Sequence, residues 1–238
     1  MTTSFVIHLS KSSERQPLVD ALIAALPNTQ VIDAVDGREM SNAEREMFAK
    51  KHLLNPSYPF GLMPSEIGCF LSHRKAWKEI AEGRDMFGLV AEDDVVVQPG
   101  FENSLQLALQ HGANDSLIRF PMRNREIPHS TVASHLNVAL FRPKTIGLTA
   151  ALYLLGKDAA KTLLSRSNQF DRPVDTWLQM RWLTGVDSLT LWPSHIESAA
   201  ASHGGSTIQA KRSRVEQVKR SWQRAKYRSA IKSLSAKS

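Results

Sequence analysis

Short apolar runs alternate along this chain with amphipathic stretches that begin on helix-start signals. Residues 5–9 are a continuous apolar run and predict a strand. The turn at 10–13 follows, and Ser12 or Ser13 can cap a helix to about residue 26, where Pro27 and Asn28 stop it. Residues 31–35 predict a second strand, closed by Asp36-Gly37, and Ser41 with Glu44 fits a capping box for a helix to about Lys51. Pro56 and Pro59 mark 53–61 as loop; Ser65 then caps a helix over 66–82 that Gly83 ends. The run at 86–97 is rich in valine and predicts a buried strand, followed from Pro99-Gly100 by a helix to about His111. Further strands are expected at 117–120, 149–155 and 188–192, and helices at 157–165 and 175–184. Residues 121–147 hold three prolines and scattered arginines and read as one long connection. Alternating strand and helix predict an α/β domain with a mostly parallel sheet, whose ligands bind beyond the carboxyl ends of the strands.

Composition narrows this picture. The 238 residues are 42% hydrophobic, enough for a real core. The single cysteine, Cys69, excludes an internal disulfide framework and any multi-cysteine zinc site. The chain enters its first apolar run without a basic leader, and no run approaches the ~20 apolar residues of a membrane span. A cytoplasmic setting is therefore expected. The net charge of +7 is unevenly placed: residues 211–238 carry ten basic side chains and one acid, while the rest carries 20 basic and 22 acidic. Two regions follow, a globular domain over 1–208 and a basic tail over 209–238.

The most informative stretch is Glu92-Asp93-Asp94 at the end of the valine-rich strand. Three acids cannot all enter an apolar core unpaired, so they are a solvated turn or are compensated by a cation. Alternation puts Glu92 and Asp94 on one side and Asp93 on the other, and convergent carboxylates suit Mn²⁺ or Mg²⁺. Glu66, Cys69 and His73 share one helical face; the plain alternative is a capping Glu and a core His. Gly68 within that helix suggests a close backbone approach. Asp175, after Pro173, is a first-turn acid or a general base. His8 reads as a core histidine, and His203 beside Gly204-Gly205 as a loop residue. No phosphate loop, dinucleotide fingerprint or nucleophile elbow is present.

Taken together, His8-Leu-Ser10 with Arg15, Asp33-Ala-Val-Asp-Gly37, Glu66-Ile-Gly-Cys69 with Ser72-His73, Glu92-Asp93-Asp94, Ala150-Ala-Leu-Tyr153 and Pro173-Val-Asp175 resemble glycosyltransferase family 25, the lipopolysaccharide biosynthesis transferases, over about residues 5–200. Position 8 departs from the asparagine usual in that family. The resemblance implies a GT-A-like nucleotide-sugar fold, with the acidic triplet as its Asp-x-Asp equivalent. It implies inverting transfer from a nucleotide sugar, commonly UDP-galactose, to a lipopolysaccharide or related glycan. In that reading Asp94, with Glu92, holds Mn²⁺ or Mg²⁺, and His203 reaches the diphosphate from the far side. Asp175 is the first candidate base and Glu66 the second. Ser10, Arg15, Asp36, His73, Glu92 and Asp93 face the donor.

The tail's Val215, Val218, Trp222 and Ala225 follow helical spacing, while Tyr227, Ile231 and Leu234 lie nearly opposite, so the apolar stripe breaks near Lys226. A cationic segment with Trp and Tyr suits an anionic membrane surface, here the inner face of the membrane, with packing on the body as the alternative. Nucleic acid is not expected, because the body carries no module that reads it. Arg119, Arg123, Arg125, Arg142 and Lys144 are candidates to meet an acidic acceptor. Two other functions stand beside glycosyl transfer: a nucleotidyltransferase on the same cation site, and a non-catalytic membrane- or glycan-binding module.

Overall fold

A computed structural model describes residues 2–199 and 214–236, with side chains left undescribed over 214–219. His203 and the segment 200–213 therefore lie outside the described residues, as does Lys237. The strands are β1 (Thr3–His8), β2 (Thr29–Asp33), β3 (Phe87–Glu92), β4 (Val95–Val97), β5 (Ser116–Arg119), β6 (Pro128–His135), β7 (Val138–Pro143), β8 (Leu152–Gly156), β9 (Asp187–Trp192) and β10 (Ile196–Ser198). The helices are α1 (Gln16–Ala25), α2 (Asn42–Phe48), α3 (Pro64–Glu82), α4 (Phe101–His111), α5 (Lys157–Arg166), α6 (Val174–Leu178), α7 (Arg181–Thr184) and α8 (Arg214–Ser235).

Eight strands form one sheet in the order β2-β1-β3-β8-β5-β9-β7-β6, and β4 pairs with β10 beside it. Strands β2, β1, β3, β5, β9 and β6 run one way; β8 and β7 run against them. The expected α/β fold with a mostly parallel sheet is the one observed. Alternation along the strands builds two cores. Phe70, Trp77, Tyr153, Leu163 and Trp177 fill one face under α3, α5 and α6. Val19, Leu22, Phe101, Leu107 and Leu154 fill the other under α1 and α4.

Several local expectations need correction. Ser12 makes no cap bond; a short 3-10 turn, Ser13–Arg15, precedes α1, whose first turn contains Pro17. Ser41 and Glu44 do form the capping box, but α2 stops at Phe48. Helix α3 is started by Pro64 and by Glu66, whose carboxylate accepts the Met63 N–H at 2.7 Å, and not by Ser65. The connection at 121–147 contains the hairpin β6–β7. Its first strand is an exposed edge with polar residues, which hides the usual strand signal.

Two glycines set the distance between α3 and the loop after β2. A Cβ on Gly68 would lie 2.3 Å from the Val35 carbonyl oxygen, and one on Gly37 would lie 1.8 Å from that of Pro64. The close approach expected at Gly68 is thus backbone against backbone. Ser72 closes the same joint, donating to the Gly68 carbonyl at 2.7 Å and accepting the Val35 N–H at 2.8 Å.

Helix α8 is continuous, and Arg220, Arg224, Tyr227 and Ile231 are among the described residues that contact or pack against the body. The stripe that breaks in the sequence is completed by arginines: Arg220 and Arg224 lie 4.6 and 5.6 Å from the centre of the Phe60 ring. Arg172, fully buried, ties this helix down. It donates to Tyr227 Oη at 2.7 Å, to the Pro56 carbonyl at 2.9 Å and to Asp171 at 2.7 Å. Trp222, from the first half of the tail's stripe, is 64% exposed.

Candidate active site

The carboxyl ends of β1, β2 and β3 meet, as expected, around one crevice. Arg15, Asp36, His73, Glu92, Asp93 and Asp94 line a chamber of about 360 Å³. A second chamber of about 390 Å³ is lined by Glu66, Glu92, Asp94, Thr149 and Asp175. Ser65, Cys69, Glu92 and Asp94 line both, so the acidic strand end stands where the chambers join.

Each carboxylate of the triplet is treated differently. Asp93 is buried in the chamber wall, accepting His8 Nδ1–H at 2.8 Å and Arg15 Nη1–H at 2.5 Å. Both oxygens expected at the donor are thus spent on fixing β1 and the turn after it. Buried His8 is the staple that holds Asp93 in place. Glu92 accepts from His73 Nε2 at 3.2 Å and from the Cys69 thiol at 3.8 Å. Burial opposes its charge, yet His73, Cys69 and Arg15 hold its carboxyl below the ordinary value. Asp94 is the exception: its buried Oδ1 has no hydrogen-bond partner, and burial, then the neighbouring Glu92, push its carboxyl up.

A buried chain of hydrogen bonds orients Glu92. Trp77 Nε1, which can only donate, gives its proton to Tyr153 Oη at 2.7 Å. Tyr153 Oη lies 2.8 Å from His73 Nδ1, so the tyrosine donates there and Nε2 carries the imidazole proton toward Glu92. Of the Glu66–Cys69–His73 face, Cys69 and His73 converge on Glu92, while Glu66 caps its own helix. His73 therefore orients Glu92 and not Glu66. Tyr153 and Trp77 were hidden as site residues because each reads as ordinary core in an apolar segment.

Asp36 pairs with Lys11 at 2.6 Å and Arg38 at 3.1 Å, which hold its carboxyl well below the usual range. Ser10 is exposed, makes a long 3.4 Å backbone contact with Asp33 and does not line the chamber. Asp175 sits in the first turn of α6, started by Pro173. Its Oδ1 accepts Thr176 N–H at 2.6 Å and Thr176 Oγ1–H at 3.1 Å. Burial pushes its carboxyl up against these bonds.

The residues present suit a hard divalent cation. Asp94 offers an orphaned buried oxygen, and Glu92 a carboxylate left partly exposed, in an oxygen-rich setting. Among the described residues Cys69, His73 and Glu92 also place ligand atoms within 4.8 Å of one another. Their mutual hydrogen bonds account for that cluster without an ion.

Among the arginines and lysine expected to meet an acceptor, Arg119 is buried against Glu126 at 2.6 Å, and Arg142 pairs with Asp187 at 2.6 Å. Glu126 is also bonded to Thr190 Oγ1 and to the Gly147 backbone N–H. Arg123 and Arg125 remain exposed. Among the described residues no helix is long and apolar enough to cross a membrane.

The model of glycosyltransferase family 25 (LPS biosynthesis protein) matches residues 1–178. The chain is similar to procollagen galactosyltransferase 1 of Danio rerio, 32% identical over 117 residues, covering 48% of this chain and 19% of that one. It is also similar to inactive glycosyltransferase 25 family member 3 of Mus musculus, 33% identical over 216 residues, covering 83% of this chain and 35% of the other. The chain thus spans well under half the length of these curated relatives. Among solved structures it is similar to the inositol-1-phosphate CTP transferase from T. maritima, with a TM-score of 0.40, 12% identity, and coverage of 80% of this chain and 84% of that chain.

Proposed function

This chain belongs to glycosyltransferase family 25, and from that premise we propose that it transfers a sugar, with inversion and with the aid of a divalent cation, from a UDP-sugar to a lipopolysaccharide, lipooligosaccharide or related glycan. The observation that carries the proposal is the orphaned Asp94 oxygen beside Glu92, where two chambers join. One chamber offers room for a donor, and the other brings Asp175 toward an acceptor. Galactose is the donor sugar of choice because relatives carry the name procollagen galactosyltransferase.

Asp94 and Glu92 would hold the Mn²⁺ or Mg²⁺. When bound, such a cation offsets the charge that grows on a departing diphosphate. The protein's own groups do the rest. The staple of Asp93 by His8 and Arg15 fixes the strand end, and the Trp77–Tyr153–His73 chain aims Glu92. Asp175, whose carboxyl burial makes more basic, takes the proton of the attacking hydroxyl. Glu66 spends an oxygen on the Met63 N–H and is the weaker candidate. Arg15, Asp36 and His73 line the donor chamber.

The test is a screen of UDP-sugars for Mn²⁺-dependent hydrolysis and transfer by the full chain. Release of UDP from one sugar, abolished by chelation, is the expected result; silence across the panel removes the proposal. A non-catalytic reading draws support from relatives named inactive, one of them aligned over 83% of this chain. Under that reading UDP and Mn²⁺ raise thermal stability without turnover.

A peripheral position on the inner face of a membrane is proposed from the tail's outward side. Trp222 is exposed there, and Lys226 Nζ lies 5.5 Å from its ring centre. Trp222→Ala should weaken binding to anionic vesicles; unaltered binding removes this placement.

A further inference from the structure

Beside the Asp175 chamber lies a larger groove of about 750 Å³ that the proposed mechanism leaves unused. One wall is the loop after β5, with Arg123 and Arg125; the other is α8, with Arg224, Arg228 and Lys232. Against these five cations the groove has one acid, Glu126, and that side chain is taken up by buried Arg119. Arg123, Arg125, Arg228 and Lys232 are exposed and form no ion pair among the described residues. Like charges facing one another across a groove repel, and an anionic occupant relieves that repulsion. The lining also includes Tyr58, Phe60, Ile146 and Leu148, and Leu148 is 54% exposed. Aromatic and aliphatic surface under a cationic rim suits a ligand with apolar C–H faces and scattered negative groups. A saccharide bearing phosphate or carboxylate groups has both.

The groove leads to the site. Met122 and Thr149 line it and the Asp175 chamber alike, and Thr176, which holds Asp175, lines it too. A chain lying in the groove therefore ends beside the candidate base. The loop wall is fixed by the buried Arg119–Glu126 pair and by the bonds of Glu126 to Gly147 and Thr190. The helix wall is fixed by Arg172 to Tyr227 and by Arg181 to the Ser235 carbonyl at 2.7 Å.

We propose that this groove binds an anionic stretch of the acceptor glycan, carrying phosphate or carboxylate groups, and that α8 is one wall of the acceptor site. The proposal rests on the glycosyl-transfer reading for its purpose, but its test does not use turnover. Calorimetric titration of the full chain with mannopentaose phosphate and with unphosphorylated mannopentaose is the direct measurement. The phosphorylated sugar should bind at least about tenfold more tightly, and Arg125→Glu with Arg228→Glu should remove that advantage, as expected for two solvent-facing ion contacts reversed together. Raising salt from about 0.1 M to about 1 M shortens the screening length from about 10 Å to about 3 Å and should weaken binding. Arg84→Glu, an exposed charge reversal away from the groove, should leave binding unchanged. Thermal melting verifies the fold of each variant, and Arg125→Gln with Arg228→Gln, which removes the charge without reversing it, should show an intermediate loss.

Equal affinity for the two sugars, or wild-type binding by the double reversal, overturns the proposal. Inorganic phosphate competing as well as the phosphorylated sugar would reveal a bare anion site and overturn it. So would phosphatidylglycerol vesicles binding through Arg125 and Arg228 while neither sugar binds. If UDP-sugars prove inert yet the phosphorylated sugar binds here, the transfer reading fails and the groove stands.

Discussion

Replacing Asp94 by alanine separates the cation-site reading from a merely acidic turn. In the protein alone, Asp94 Oδ1 is buried without a partner. An unsatisfied buried polar group costs about 1–3 kcal/mol, and the partial exposure of Asp94 argues for the lower end, about 1 kcal/mol. The side chain lines two open chambers, so its removal sacrifices little packing. For a chain of this size, a gain of about 1 kcal/mol raises the melting temperature by about 2–4 °C. With Mn²⁺ and UDP the order should reverse. A ligand at ~100 times its dissociation constant stabilises by about 2.7 kcal/mol, which corresponds to about 5–10 °C. Wild type should show that rise, and Asp94→Ala should not. Differential scanning fluorimetry with UDP, with Mn²⁺ and with both therefore gives crossing results. An equal rise in both proteins would show that Asp94 holds no cation and refute the reasoning. A variant that melts well below wild type without ligand would refute the claim that the carboxylate is carried at a cost.

Other predictions follow from named contacts. Because burial raises the Asp175 carboxyl, the proton is held more tightly in the fold, and activity should fall as pH drops through a value above the ordinary ~3.9 of aspartate. Thr176→Val removes a bond that favours the charged form, so the acid limb of kcat/KM should move to higher pH; a limb that stays or moves lower argues against Asp175 as base. Asp175→Asn should reduce turnover by about 10²–10⁴-fold while leaving Mn²⁺–UDP binding intact, as titration calorimetry can establish. Tyr153→Phe leaves Trp77 Nε1 and His73 Nδ1 without their buried partner, which should cost about 1–3 kcal/mol and lower turnover as well; unaltered chemical denaturation would discount the chain. Gly68→Ala gains about 1 kcal/mol of helix propensity, but about 1–3 kcal/mol of overpacking against backbone should outweigh it, lowering the melting temperature.

The sequence makes the fold class and the meeting of strand ends visible, because both depend on local pattern. Apolar runs mark β1 and β3, start and stop signals mark α3, and the acids at 92–94 reveal a strand end that an apolar core cannot absorb. The partition of that triplet is not local. Alternation places Asp93 on the opposite side, but only folding brings His8 and Arg15 to it across 85 and 78 residues. For the same reason Glu66 and His73, neighbours on one helical face, have different partners: a helix fixes which residues share a side and not what lies opposite. The tail shows the limit most clearly. An apolar stripe appears broken at Lys226 because arginines over Phe60 occupy its first half, and a guanidinium on an aromatic ring is invisible to hydropathy.

The buried Arg172 has a consequence for what counts as one folding unit. The family match ends at residue 178, whereas the packing that satisfies Arg172 and covers Ile231 continues to α8. A chain cut after residue 208 would strand one guanidinium bond in the interior and uncover aromatic surface around Tyr58 and Phe60. The unit that relatives share and the unit that must fold together are therefore different objects. Replacing the tail with one from another family member should disturb the melting of the whole molecule, even where residues 1–178 are left untouched.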